Sequence, residues 1–73
     1  MTFEQKLRTV RKCRNISRNA MADAVRLKPG TYGAYEEGRA TPPLKTLLAI
    51  SRVLQVTMEQ LVDDELEIEM TIK

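Results

Sequence analysis

The sequence predicts an all-α domain of five short helices followed by a short strand-like tail. Three observations carry this expectation. Apolar residues recur at helical spacing in successive segments between Phe3 and Val62. Hydroxyl residues suited to helix starts, Thr2, Ser17, Thr41 and Thr57, precede four of those segments. Alternation with a period of two is confined to Leu66, Ile68, Met70 and Ile72, which interleave with Glu65, Glu67, Glu69 and Thr71.

Taken in order, Thr2 with Gln5 reads as a capping box ahead of an amphipathic stripe of Phe3, Leu7 and Val10, and Asn15 ends that helix. Ser17 opens a second helix, Ser17–Val25, whose narrow face of Met21, Ala22, Ala24 and Val25 lets a neighbour approach closely. The stretch Lys28–Gly38, KPGTYGAYEEG, has the composition of a loop. Pro29 nevertheless suits the first position of a helix, and Gly38 suits a left-handed end. Gly30 and Gly33 each cost about 1 kcal/mol inside a helix. Only packing of Tyr32 and Tyr35 can offset that cost, so a helix over about 29–37 is expected against a core and not alone. Thr41 is read as the cap of a fourth helix, with Pro42 and Pro43 in its first turn, and Leu44, Leu47, Leu48, Ile50, Val53 and Leu54 make the strongest helical stripe in the chain. Gln55 and Val56 break it, and Thr57 with Gln60 forms a second capping box for a short helix containing Met58, Leu61 and Val62. The expected organisation is one domain, 1–63, with a tail, 64–73, that is either a dimerisation strand or the start of a further region.

Seventy-three residues suffice for one small domain that buries about 60% of its unfolded surface. No apolar run approaches the length of a membrane span, and the polar, basic stretch Thr2–Arg18 has no signal-peptide core. Cys13 is the single cysteine and histidine is absent, so an internal disulfide is excluded and a zinc site has a poor donor set. Cys13 also lacks a histidine to activate it as a nucleophile, and the carboxylates of the tail have no pocket-forming sequence around them. No enzyme activity, cofactor or metal is expected, and the location expected is a reducing cytoplasm. Charge is unevenly spread. Residues 1–40 carry nine cations against four carboxylates, and residues 41–73 three against six. A basic half beside an acidic half fits a polyanion on one side, or simply two solvated faces.

The second and third helices, joined by Arg26-Leu27-Lys28, have the spacing of a helix-turn-helix, whose second helix can enter a DNA major groove. The pieces LRTVRK (7–12), S-x-x-x-MA (17–22), TYGAYEEGRATPPLKTLLAIS (31–51) and LQVTMEQLV (54–62) run in order through the domain. On these residues the chain resembles the Cro/repressor-type (XRE) helix-turn-helix family, with its five-helix, lambda-repressor-like fold. The resemblance implies that the glycine-rich stretch is the recognition helix. It also implies that Arg11 pairs with Glu36, a structural salt bridge tying the first helix to the third. Ser17 and Arg18 fall where members hold a phosphate, Arg18 standing in for the usual glutamine, and Arg26 replaces the usual turn glycine. Lys28, Thr31, Arg39 and Thr41 fall at or near backbone contacts, and Tyr32 is placed to reach a phosphate if it is not core.

Base-reading positions fall on Pro29, Gly30, Thr31, Gly33 and Ala34, where members often carry long polar side chains. Two explanations stand. Small residues let the backbone sit deep in the groove, with Ala34 and the Thr31 methyl touching thymine methyls and specificity coming mainly from Lys28, Thr31 and DNA shape. Alternatively, DNA binding is weak and the domain is an interaction module. The expected function is that of a repressor-like, sequence-specific regulator binding double-stranded DNA as a homodimer on a palindromic operator. Its dimer surface is placed at Met58, Val62, Leu66, Ile68 and Met70. The alternatives are an antitoxin-like module that engages a protein partner through the tail, and a restriction–modification controller protein.

Overall fold

Helix ends, more than helix interiors, decide this architecture. In the computed structural model, which describes residues 1–66 and residue 68, five helices follow one another: α1 (Phe3–Cys13), α2 (Arg18–Ala24), α3 (Pro29–Glu36), α4 (Leu44–Leu54) and α5 (Met58–Val62). The described residues contain no strand. Both capping boxes form. The Thr2 N–H donates to Gln5 Oε1 at 2.9 Å while Thr2 Oγ1 accepts from the Gln5 N–H, and Thr57 with Gln60 repeats the arrangement at 2.8 and 2.9 Å. Ser17 Oγ accepts from the Ala20 N–H at 3.0 Å.

Helices α1 to α4 stop in the same way. Asn15, Arg26, Gly38 and Gln55 take left-handed backbone angles, with φ of 58°, 60°, 73° and 60°. The next N–H in each case reaches back five residues: Ile16 to the Arg11 carbonyl, Leu27 to Ala22, Arg39 to Ala34 and Val56 to Ser51. Arg26 therefore keeps the turn conformation despite replacing glycine, at a strain of about 1–2 kcal/mol. At Gly38 a side chain has a second obstacle, since a Cβ there would sit 3.2 Å from Glu4 Cγ and Oε1.

One expectation about α4 is corrected. Thr41 does not cap it: the helix begins at Leu44 with Pro43 at the N-cap and no side-chain cap bond. A residue preceding proline is driven out of the helical region, so Thr41 and Pro42 both stay extended and displace the start beyond Pro43. The apolar stripe of α4 forms as expected and is buried along only part of its width. Ile50, Ser51 and Leu54 are buried and Leu47 packs beside them, but Leu44 and Leu48, on the flank of that stripe, are 73% and 37% exposed.

The core draws Leu7 and Val10 from α1, Met21 and Ala22 from α2, Tyr32 and Tyr35 from α3, Ile50 and Leu54 from α4, Leu61 from α5, and Ile68. The two tyrosine rings meet edge to face at 6.5 Å. Leu66 lies in a bend and Ile68 is buried, so neither is part of a strand. The remainder of the alternating segment, residues 67 and 69–73, lies outside the described residues.

Three cations of α1 and Arg14 at its C-cap each donate to a backbone carbonyl beyond the helix. Lys6, fully buried, donates from Nζ to the Gln60 and Asp63 carbonyls at 2.6 Å each, at the end of α5. Arg8 Nη1 donates to the Glu36 carbonyl at the end of α3. Arg14 Nε donates to the Leu54 carbonyl at the end of α4 at 3.0 Å. Arg11 Nη1 donates to the Ile16 carbonyl at 2.8 Å. Helix C-termini carry unpaired carbonyls and partial negative charge, so the contacts of Lys6, Arg8 and Arg14 satisfy both hydrogen bonding and the dipole, while Arg11 closes a carbonyl of the α1–α2 connection. Arg11 also makes the buried pair with Glu36, its Nε donating to Oε2 at 2.6 Å and its Nη2 to Oε1 at 3.2 Å.

Beside this pair the Tyr32 hydroxyl is buried without a hydrogen-bond partner among the described residues. Burial, then the neighbouring Glu36 carboxylate, push its phenol far above the ordinary tyrosine range, outweighing the opposing effect of Arg11.

Glu36→Ala should strand the Arg11 charge and cost about 3–5 kcal/mol; a melting temperature unchanged from wild type would contradict the pairing. Tyr32→Phe should be neutral or slightly stabilising, because it removes a hydroxyl that lacks a partner. The pH dependence follows with a definite sign. The unfolded chain ionises Tyr32 above about pH 10 while the fold keeps it neutral, so the stability Tyr32 supplies is intact below that pH and falls as pH rises beyond it. Chemical denaturation of wild type and Tyr32→Phe between pH 8 and 11 should show the weaker alkaline decline in the variant.

Candidate nucleic-acid interface

Helices α2 and α3 pack at a corner set by the left-handed Arg26. Pro29 occupies the first turn of α3, and Lys28 at the N-cap makes no side-chain capping bond. The inner side of α3 buries Tyr32, Tyr35 and Glu36. Its outer side shows Pro29, Gly30 and Thr31 exposed, with Ala34 half-buried. A Cβ at Gly30 would find nothing within 4 Å. The glycine-rich stretch is therefore a helix packed on one side and thin on the other.

Ser17 is exposed and committed to capping α2. Arg18 turns away from the start of its own helix and lies on α3. Its Nη2 donates to the Gly33 carbonyl at 3.3 Å, and its Nε stands 3.6 Å from Glu36 Oε1, with 46% of the side chain exposed. Arg26 and Lys28 are exposed, with no hydrogen bond or ion pair to any described residue. Past the end of α3, Arg39 donates twice to Glu37 Oε1, at 3.1 and 2.6 Å, and holds the Glu37 carboxyl below its ordinary range. Thr41 is exposed nearby in sequence. Arg18 and Asn19 of α2, Pro29, Gly30 and Gly33 of α3, and Glu37 with Arg39 enclose a shallow hollow of about 280 Å³.

The placement of Tyr32 among the DNA contacts is corrected: its side chain is fully buried, so its hydroxyl reaches no phosphate. Gly33, placed among base-reading positions, is itself covered. Arg11 faces inward, as its pairing requires. The basic half of the sequence also divides. Lys6, Arg8, Arg11 and Arg14 bind groups within the chain, Lys12 stays exposed on α1, and Arg18, Arg26, Lys28 and Arg39 lie around α3, Arg18 and Arg39 with carboxylate neighbours of their own. A signal for Lys6 existed in the sequence, since it lies three residues after Phe3 and four before Val10, inside the apolar stripe. For Arg8 and Arg14 no local signal marks the partner.

Of the residues assigned to a dimer surface, Met58 and Leu66 are half-buried, Val62 is 56% exposed, Ile68 is buried in its own chain's core, and Met70 lies outside the described residues. Phe3, Pro42, Leu47 and Val62 line a second, mostly apolar hollow of about 260 Å³. Among the described residues no cluster of three or more potential ligands could hold a metal. None of their helices is long and apolar enough to cross a membrane.

Comparison with known proteins extends these observations. A family model described as helix-turn-helix matches residues 7–61. An uncharacterised HTH-type transcriptional regulator of Bacillus subtilis, YqaE, is 35% identical over 63 residues, covering 86% of this chain and 54% of its own. Repressor protein C of Escherichia phage P2 is 36% identical over 56 residues, covering 77% and 57%. The cryptic phage CTXphi transcriptional repressor RstR of Vibrio cholerae is 31% identical over 62 residues, covering 85% and 56%. The chain thus spans about half the length of each of these relatives. No solved structure matches it at comparable significance. Since α2, its turn and α3 all fall inside the matched residues, the chain belongs to the helix-turn-helix family of the Cro/repressor type.

Proposed function

We propose that this chain is the DNA-binding part of a repressor-like transcriptional regulator, with α3 laid in the major groove and two copies reading a palindromic operator. One observation carries the reading. Lys6, Arg8, Arg11 and Arg14 are tied to carbonyls inside the fold, whereas Arg26 and Lys28 ahead of α3 stand exposed with no partner among the described residues, and Arg39 beyond its end is exposed beside Glu37. Cations flanking a helix at both ends suit the phosphates that border a groove. The thin outer side of α3 suits close approach of its backbone to base edges, with the Thr31 and Ala34 methyls able to meet thymine methyls. The relatives named as repressors support the same reading.

A homodimer follows from size, because one such module covers too little DNA for tight specific binding. Exposed Val62 on α5, with Leu44 and Leu48 on α4, offers apolar surface for it. The reading assigns the chain no catalysis and no cofactor, and places it where DNA is. A protein-interaction module is the second reading, favoured by the apolar hollow at Phe3, Leu47 and Val62.

Fluorescence anisotropy with duplex DNA across a salt series tests the proposal. Three phosphate contacts per protomer predict a log–log slope of about −5 for the dimer. A flat salt dependence, or no binding to random duplexes at low salt, would contradict it. Lys28→Gln and Arg26→Gln should weaken binding to operator and random DNA by similar factors, each reducing the slope. Thr31→Ser, which removes the methyl and keeps the hydroxyl, should instead shift sequence preference at unchanged slope, and an unaltered selection profile would remove the Thr31 methyl from base contact.

A further inference from the structure

Resting on the DNA-binding reading, we propose that the main base-reading side chain comes from α2 rather than α3: Arg18 is presented through the space left by Gly33, and the base it reads is a guanine.

The outer side of α3 cannot supply such a reader. Pro29, Gly30 and Ala34 have no side-chain donor, and the hydroxyl of Thr31 is the longest reach available. Arg18 fills this gap. Its guanidinium lies against α3, held by the bond from Nη2 to the Gly33 carbonyl and by Glu36 Oε1 at 3.6 Å. The seat requires glycine. A Cβ on Gly33 would stand 2.9 Å from Arg18 Nη2 and 3.5 Å from Cζ, so any larger residue must push the guanidinium aside. One turn earlier Gly30 leaves open space, and Arg18, Gly30 and Gly33 all border the same shallow hollow of about 280 Å³.

Electrostatics agrees with this placement. Glu36 is shared between Arg11 and Arg18, so the cluster of three retains one net positive charge. The nearer exposed carboxylate, Glu37, is bound to Arg39. Arg18 Nη1 has no partner among the described residues. A guanidinium fork matches the O6 and N7 acceptors of guanine, and a side chain already seated loses less freedom when it binds. The small residues of α3 thus make room for a reader from the neighbouring helix.

The test is selection of bound duplexes from a random library with wild type, Arg18→Lys, Arg18→Gln and Gly33→Ala, each checked for a cooperative melt. Wild type should select a guanine in each half-site. Both Arg18 variants should lose that preference by about 10-fold to 100-fold while binding to scrambled duplex changes only a few-fold. Gly33→Ala, which keeps the arginine but removes its seat, should blur the same position. An Arg18→Gln profile identical to wild type with uniformly weaker binding would make Arg18 a phosphate contact and overturn the inference. A Gly33→Ala variant that melts like wild type and still selects the guanine would overturn the seat. If wild type binds no duplex at all, the DNA-binding reading itself fails, an outcome distinct from either of these.

Discussion

The buried pair between Arg11 and Glu36 is the constraint on which the position of α3 depends. An eight-residue helix with two glycines has little tendency to form by itself, since each glycine costs about 1 kcal/mol and nucleation is unfavourable. Tyrosine packing supplies the apolar side of the balance. Glu36 supplies the register: its carboxylate takes two bonds from Arg11 and a longer contact from Arg18, and its carbonyl takes a third arginine, Arg8. Burying such charges is expensive, and an apolar substitute could be as stable. What the ion pair adds is geometry, because a carboxylate and a guanidinium satisfy each other in few arrangements. The last turn of α3 is thereby fixed against α1.

The same logic extends to the other helix ends. Helix α1 with its C-cap works as a central post: Lys6, Arg8 and Arg14 reach the ends of α5, α3 and α4, and Arg11 reaches the Ile16 carbonyl between α1 and α2. Helices of five to eleven residues expose a large share of their backbone carbonyls at their ends. Capping them with long side chains from one helix stabilises all of them together, and it separates structural cations from those left facing outward. The net charge of the first forty residues thus overstates the surface available to a polyanion, while the charge around α3 retains its meaning.

Much of the fold was legible in the sequence because its signals are local. Capping boxes span three residues, left-handed ends span five, and the stripes of α1 and α4 repeat within one or two turns. The glycine-rich helix α3 was legible only through its surroundings and the family resemblance, since composition alone argues for a loop. The shifted start of α4 was missed because the restriction that each proline places on the residue before it outweighs the capping preference of Thr41. The contacts of Lys6, Arg14 and Arg8 were missed because their partners lie 54 and 57, 40, and 28 residues away, at backbone carbonyls that leave no trace in side-chain pattern. At the site, the pairing of Arg11 was foreseen, but Tyr32 was given a polar role that its burial denies. The seating of Arg18 over Gly33 was also invisible, because a missing Cβ acquires meaning only once a neighbouring helix lies across it.

Native-state hydrogen exchange of the α3 amides, residue by residue, tests the central claim most directly. If α1 and the core impose the helix, the amides of Tyr32 to Glu37 should exchange only through opening reactions nearly as costly as those of Val10 in α1 and Leu54 in α4. Exchange of α3 at the rate of an unstructured peptide, while α1 and α4 remain protected, would show that the segment is a loop in solution and that no rigid helix is presented to DNA.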